Sequence, residues 1–85
     1  MVHIALHHGA TLQSVIQYQH KGRNMTKITE QKNGAYTTFE RLFPSGMYLV
    51  MLYSTRGEVM DKIRCDTYHA AREYLAAFNR IAKAQ

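Results

Sequence analysis

The stretch Gly46-Met47-Tyr48-Leu49-Val50-Met51-Leu52-Tyr53-Ser54 constrains this chain more than any other. Both of its alternating sets, Met47/Leu49/Met51/Tyr53 and Tyr48/Val50/Leu52, are apolar, so a strand here needs cover on both faces. Its length, its β-branched and aromatic content and the turn residues on either side select a strand over a buried helix. It reads as an inner strand of an antiparallel sheet.

Its neighbours supply the rest of that sheet. Thr26-Lys27-Ile28-Thr29-Glu30-Gln31-Lys32 is strand-like, Asn33-Gly34 is a strong hairpin signal because both residues tolerate φ > 0, and Ala35 to Phe43 forms the returning strand. A two-residue turn at Asn33-Gly34 pairs Ile28 with Phe39 and Thr29 with Thr38. Pro44-Ser45-Gly46, as a three-residue connection, pairs Phe43 with Met47 and Phe39 with Met51. Thr55-Arg56-Gly57 is the next turn, setting Tyr53 opposite Val59 and Leu49 opposite Ile63. These registers are mutually consistent. They collect Ile28, Phe39, Phe43, Met47, Leu49, Met51, Tyr53, Val59, Ile63 and Cys65 on one face, interrupted by Thr37, Arg41 and Asp61, of which the last two are expected to pair. The other face receives Lys27, Thr29, Gln31, Tyr36, Thr38, Glu40, Leu42, Tyr48, Val50, Leu52, Met60, Lys62 and Arg64.

After Asp66 or Thr67, either of which can N-cap a helix, no Pro or Gly interrupts through Gln85. Ala71, Tyr74, Leu75, Phe78, Ile81 and Ala82 recur at helical spacing and form a stripe to cover the first face, with His69, Arg72, Ala76, Asn79, Arg80 and Lys83 on the far side. The expected fold is α+β: a four-stranded antiparallel meander with one C-terminal helix packed on one face. Leu42, Tyr48, Val50 and Leu52 then form an apolar patch on the uncovered face, which marks an interface with a second copy or cover supplied by residues 2–16.

Residues 25–85 make a single domain on this reading, and residues 1–24 a polar, flexible leader that holds His3, His7, His8 and His20. Val2/Ile4/Leu6 alternate like a short strand, and Leu12/Val15/Ile16 suggest a helical turn or two. The histidines lack an accompanying carboxylate or cysteine in a metal-binding spacing, so no metal or other cofactor is implied. In a bacterial source, Lys21-Gly22-Arg23-Asn24 before Met25 can be encoded by a purine-rich ribosome-binding sequence. On that alternative reading residues 1–24 would be an extension read in frame and Met25 the expected start.

With 85 residues, folding buries about 60–65% of the unfolded chain's surface. The formal charge is +5, and its excess sits at the two ends. Residues 1–24 carry Lys21 and Arg23 without an acid, residues 25–61 are balanced, and residues 62–85 set Lys62, Arg64, Arg72, Arg80 and Lys83 against Asp66 and Glu73. A basic balance suits an anionic partner. Cys65 is the single cysteine and closes no internal disulfide; with no signal peptide and no bilayer-length apolar run, a cytoplasmic protein without a membrane partner is expected.

No nucleophile motif, phosphate-cradling loop or acid–base pair is present, so a non-enzymatic role is expected. A nucleic-acid-associated or regulatory binding domain acting through the open sheet face would use Tyr36 and Tyr48 for stacking and Lys27, Lys62 and Arg64 for phosphates. The alternative is a homo-oligomeric interaction module, a homodimer packing through Leu42, Tyr48, Val50 and Leu52. The stretch Met47 to Ala82, ending in Asp66-Thr67-Tyr68-His69-Ala70-Ala71-Arg72-Glu73-Tyr74, resembles the AP2-type DNA-binding fold, which implies a three-stranded sheet in the major groove backed by an alanine-rich helix. With a helix over residues 11–20, the order of elements also resembles a double-stranded-RNA-binding domain, whose lysine-rich start to the last helix is replaced here by Thr67, Tyr68 and His69.

Overall fold

The computed structural model describes residues 14–21 and 24–85. It shows an antiparallel sheet of five strands, β1 (Ser14–Lys21), β2 (Asn24–Gln31), β3 (Tyr36–Arg41), β4 (Tyr48–Tyr53) and β5 (Val59–Cys65), followed by helix α1 (Tyr68–Ala84). The strands lie in chain order, each beside its predecessor. The α+β meander with a C-terminal helix is as the sequence reads, but it has five strands where four were expected. Val15 and Ile16 belong to a strand rather than to a helical turn. A helix over residues 11–20, which the resemblance to a double-stranded-RNA-binding domain needs, is replaced by β1 from Ser14 onward. The expected strand at Val2/Ile4/Leu6 and the histidines His3, His7 and His8 lie outside the described residues.

Turn geometry decides which face each strand presents. At the first hairpin the Gln31 N–H donates to Ala35 O at 2.8 Å and the Gly34 N–H donates to Gln31 O at 3.0 Å. The loop is therefore Lys32-Asn33-Gly34, with Gly34 at φ +97°, a left-handed conformation that costs glycine little. One residue more in the loop shifts the ladder by one, so Ile28 pairs with Thr38 and Phe39 with Lys27. At the second turn the Leu42 N–H donates to Met47 O at 2.7 Å, enclosing four residues where three were expected, and Phe39 pairs with Val50 instead of Met51. The third turn is Thr55-Arg56-Gly57 and sets Tyr53 opposite Val59, both as expected. An irregularity between Leu52 and Tyr53 then shifts the register, so Leu49 meets Arg64 rather than Ile63.

Each one-residue slip reverses a strand's faces. The slips invert β2 and β4 and, acting twice, return Asp61 to Cys65 of β5 to their expected orientation, while Val59, expected in the core, stays opposite Tyr53 on the other face. The helix-covered face therefore carries Thr29 and Gln31 from β2, Thr37 and Phe39 from β3, Tyr48, Val50 and Leu52 from β4, and Ile63 and Cys65 from β5. Ala35, Val50, Leu52, Cys65, Ala71, Phe78 and Ala82 form the buried core, with Phe39, Tyr48, Ile63, Ala70 and Leu75 packed against it. Ile28, Leu49, Met51 and Tyr53, expected in the core, lie on the opposite face.

Helix α1 is anchored at both ends. Thr67 is the N-cap, its hydroxyl accepting from the Ala70 N–H at 3.1 Å, which stabilises a helix by about 1 kcal/mol. At the other end the Asn33 side-chain amide donates to Ala82 O and Gln85 O, both at 2.9 Å, while its oxygen accepts from the Ala35 N–H at 2.8 Å. One hairpin residue thus bonds two carbonyls at the helix C-terminus, of which Ala82 O also accepts from the Gln85 N–H, and fixes where the helix ends on the sheet. Ala71, Phe78 and Ala82 are buried as expected, whereas Tyr74 and Ile81 are each 44% exposed. Asn79, expected on the outer side, faces the sheet and accepts from the Thr37 hydroxyl at 2.7 Å.

Among the described elements β1 packs on β2 alone, and its Val15, Ile16 and Tyr18 are about half exposed. None of these three side chains belongs to the buried core. Removing residues 1–24 is therefore expected to leave a chain that keeps its helix signal and melts in one cooperative transition by circular dichroism. A broad, non-cooperative melt of the truncated chain would show that β1 is needed to hold β2 in place.

Candidate nucleic-acid interface

Helix α1 runs from the β3–β4 loop end of the sheet toward the Asn33 turn and covers β3 and β4 best, so the covered face stays open beside its N-terminus. There, Tyr18 from β1, Met25 and Lys27 from β2, Phe39 and Arg41 from β3, Phe43, Tyr48 from β4 and Tyr68 from the first turn of α1 line a cleft of about 570 Å³. Cross-strand register assembles most of it. Tyr18, Lys27 and Phe39 share one row of the ladder, and Arg41 and Tyr48 pair in the next.

The rings form a connected cluster. Phe39 and Tyr48 have centroids 5.7 Å apart, Tyr68 meets Phe39 edge-on at 6.0 Å, and Tyr48 and Tyr68 are 5.8 Å apart. These are favoured aromatic separations, and they hold the rings at defined angles while leaving Tyr68 more than half exposed. The Arg41 guanidinium lies 5.4 Å from the Phe43 ring centroid and 5.8 Å from that of Tyr48, and Arg72 lies 5.7 Å from Tyr68. A guanidinium stacked on a ring keeps its N–H edge available to an anion. The lining contains two cations and no carboxylate. Among the described residues the one close approach of a basic to an acidic side chain is elsewhere, between His69 Nε2 and Glu73 Oε2 at 3.1 Å on the helix surface.

The five residues expected to bind nucleic acid are divided between two surfaces. Lys27 and Tyr48 line the cleft, whereas Tyr36, Lys62 and Arg64 lie on the opposite, open face. Tyr36 stacks on Tyr53 there, with centroids 4.3 Å apart and planes 11° from parallel. Burial pushes the Tyr36 hydroxyl pKa above its ordinary value, and the Tyr53 and Glu30 side chains add to that. Of the residues expected at an interface, Val50 and Leu52 are buried beneath the helix and Tyr48 lines the cleft, since the inverted β4 turns them inward. Leu42 sits half-buried at the base of the β3–β4 loop. Sequence reasoning missed Tyr18, Phe39, Arg41, Phe43 and Tyr68 as a site. The adjacency of Arg41 to Tyr48 could have been found from the correct register, but the approach of Tyr68 depends on how the helix docks.

Asp61 shares the sheet face of Arg41 but does not pair with it. It lies opposite Leu52, at the far end of β5 from the Tyr48–Cys65 pair, and its carboxylate accepts from the Lys62 N–H at 2.8 Å. The Cys65 thiol is buried, and burial pushes its pKa up, with Asp66 adding to the shift. A thiol held protonated in this way is a packing group rather than a nucleophile. Among the described residues no group of three His, Cys, Asp or Glu side chains is placed to hold a metal ion, and no helix is long and apolar enough to cross a membrane.

No family model matches the chain, and no curated protein or solved structure is significantly similar to it.

Proposed function

We propose that this protein is a binding domain for single-stranded nucleic acid and that the strand enters the cleft at the N-terminus of α1. The observation that carries the reading is the concentration of Phe39, Phe43, Tyr48 and Tyr68 around Lys27 and Arg41 with no carboxylate in the lining. Rings supply sequence-tolerant stacking surfaces for bases, and cations neutralise phosphates. A duplex keeps its bases stacked on one another and offers these rings nothing to insert. The site acts by binding alone, and the expected place of action is the cytoplasm.

Titration of a fluorescent oligothymidylate or oligouridylate across a salt series tests this. Each phosphate neutralised on a single strand contributes about 0.7 to the slope of log affinity against log salt, so Lys27→Ala with Arg41→Ala should flatten the slope by roughly 1.4. Tyr68→Ala should cost about 1–3 kcal/mol of binding, as expected for one lost stacked base. Lys62→Ala with Arg64→Ala, on the other face, should change the slope much less. A wild type that binds no single strand in low salt, or cleft variants that bind as the wild type does, would sink the proposal.

A further inference from the structure

The face of the sheet away from α1 is organised differently from the cleft, and from β2 to β5 its charges are sorted by sign. Three cross-strand rows cross it from β2 to β5: Thr26, Glu40, Leu49 and Arg64; then Ile28, Thr38, Met51 and Lys62; then Glu30, Tyr36, Tyr53 and Val59. Both acids stand on β2 and β3, both cations on β5, and the apolar side chains Leu49, Met51 and Tyr53 fill the strand between. Glu40 and Arg64 are two strands apart, about 9.6 Å at the usual strand spacing, and do not pair within the chain.

We propose that this face packs against a second copy of the same chain about a two-fold axis along β4. Such an axis keeps each row at its own height and exchanges the two sides of the face. It therefore lays Leu49, Met51 and Tyr53 on their own counterparts and β5 of one copy over β3 of the other. Arg64 then stands over Glu40 of the second copy, twice by symmetry, and Val59 over Tyr36. A self-complementary patch of this kind is what an isologous dimer requires. An axis across the strands would instead place Lys62 and Arg64 on themselves, so the charge order selects the first arrangement. The patch spans about 250–300 Å² in plan, from three strands and some five residues of length. A standard interface buries about 800 Å² per partner, so the association is weak and concentration-dependent. Both helices face outward in the dimer, leaving two cleft surfaces free. The inference stands whether or not those clefts bind nucleic acid.

The test is sedimentation equilibrium up to millimolar protein, with circular dichroism confirming that each variant is folded. The wild type should dimerise reversibly. Glu40→Lys and Arg64→Glu should each weaken dimerisation roughly tenfold or more by setting like charges together, and the two combined should restore it. Leu49→Asp should abolish it, whereas Lys27→Ala with Arg41→Ala should leave it unchanged. A monomeric wild type at millimolar concentration would overturn the proposal, as would a dimer indifferent to Leu49→Asp or a double charge reversal that fails to rescue. A monomer that dimerises only after removal of residues 1–13 would overturn it too, and would assign the face to that segment.

Discussion

Replacing Val50 by aspartate is expected to abolish the cooperative thermal transition at pH 7. Val50 is fully buried in the middle of β4, flanked across the ladder by Phe39 and Ile63 and covered by the helix. A carboxylate there has no partner and no water, and leaving a charge so buried costs several kcal/mol beyond the lost packing. A domain of this length has about 4–13 kcal/mol in total. Burial raises the folded-state pKa of the new carboxyl above the unfolded value of about 3.9. The folded state then holds the proton more tightly, so the penalty is absent below about pH 4, grows as pH rises through the raised folded value and is complete above it. Melts by circular dichroism should accordingly show partial recovery near pH 4. Leu49→Asp, one residue earlier on the open face, should remain folded at pH 7. A Val50→Asp protein that melts as the wild type does would place β4 the other way round.

That strand is where sequence reasoning reaches its limit. The order of β2 to β5, the C-terminal helix, its cap and the buried Ala71, Phe78 and Ala82 could be read from periodicity and turn residues, whereas β1 could not, since Val15 and Ile16 suit a helical turn as well as a strand. The orientation of β4 could not, because both of its alternating sets are apolar and the pattern favours neither. Orientation passes to the turns, and there a one-residue miscount is enough: Asn33-Gly34 suits a two-residue loop as well as the observed Lys32-Asn33-Gly34. Strand β2 was misread for a related reason. Of its two large apolar residues, Met25 lines the cleft and Ile28 points to the open face, while Thr29 and Gln31 are buried at 7% and 5% exposure. A three-residue first turn imposes that arrangement, although it leaves the Gln31 side-chain oxygen without a hydrogen-bond partner. The candidate site suffered most, since a cleft assembled across four elements is scattered by a single slip. Lys27 and Tyr48 were identified, but they were grouped with three residues from the other face.

The helix side of the core provides the second large effect. Phe78 is 5% exposed, stands edge-on to Tyr74 with centroids 6.4 Å apart and belongs to the same buried cluster as Val50 and Leu52. Phe78→Ala removes the largest apolar group that α1 buries in the sheet, and the strands cannot close over the space because Asn33 and the Thr37–Asn79 hydrogen bond hold the helix at a fixed height. The expected loss is about 3–5 kcal/mol. In a domain of this size each kcal/mol lowers the melting temperature by about 4–8 °C, so the shift should be at least about 12 °C. Arg72 lies six residues earlier on the exposed side with its guanidinium over the Tyr68 ring, so Arg72→Ala should cost under about 1 kcal/mol. Comparable shifts for the two variants, measured by differential scanning calorimetry, would mean that the helix does not seat Phe78 against the sheet. The helix would then have to be held by Ala71 and Ala82, whose small side chains permit close approach but bury too little surface to hold it alone.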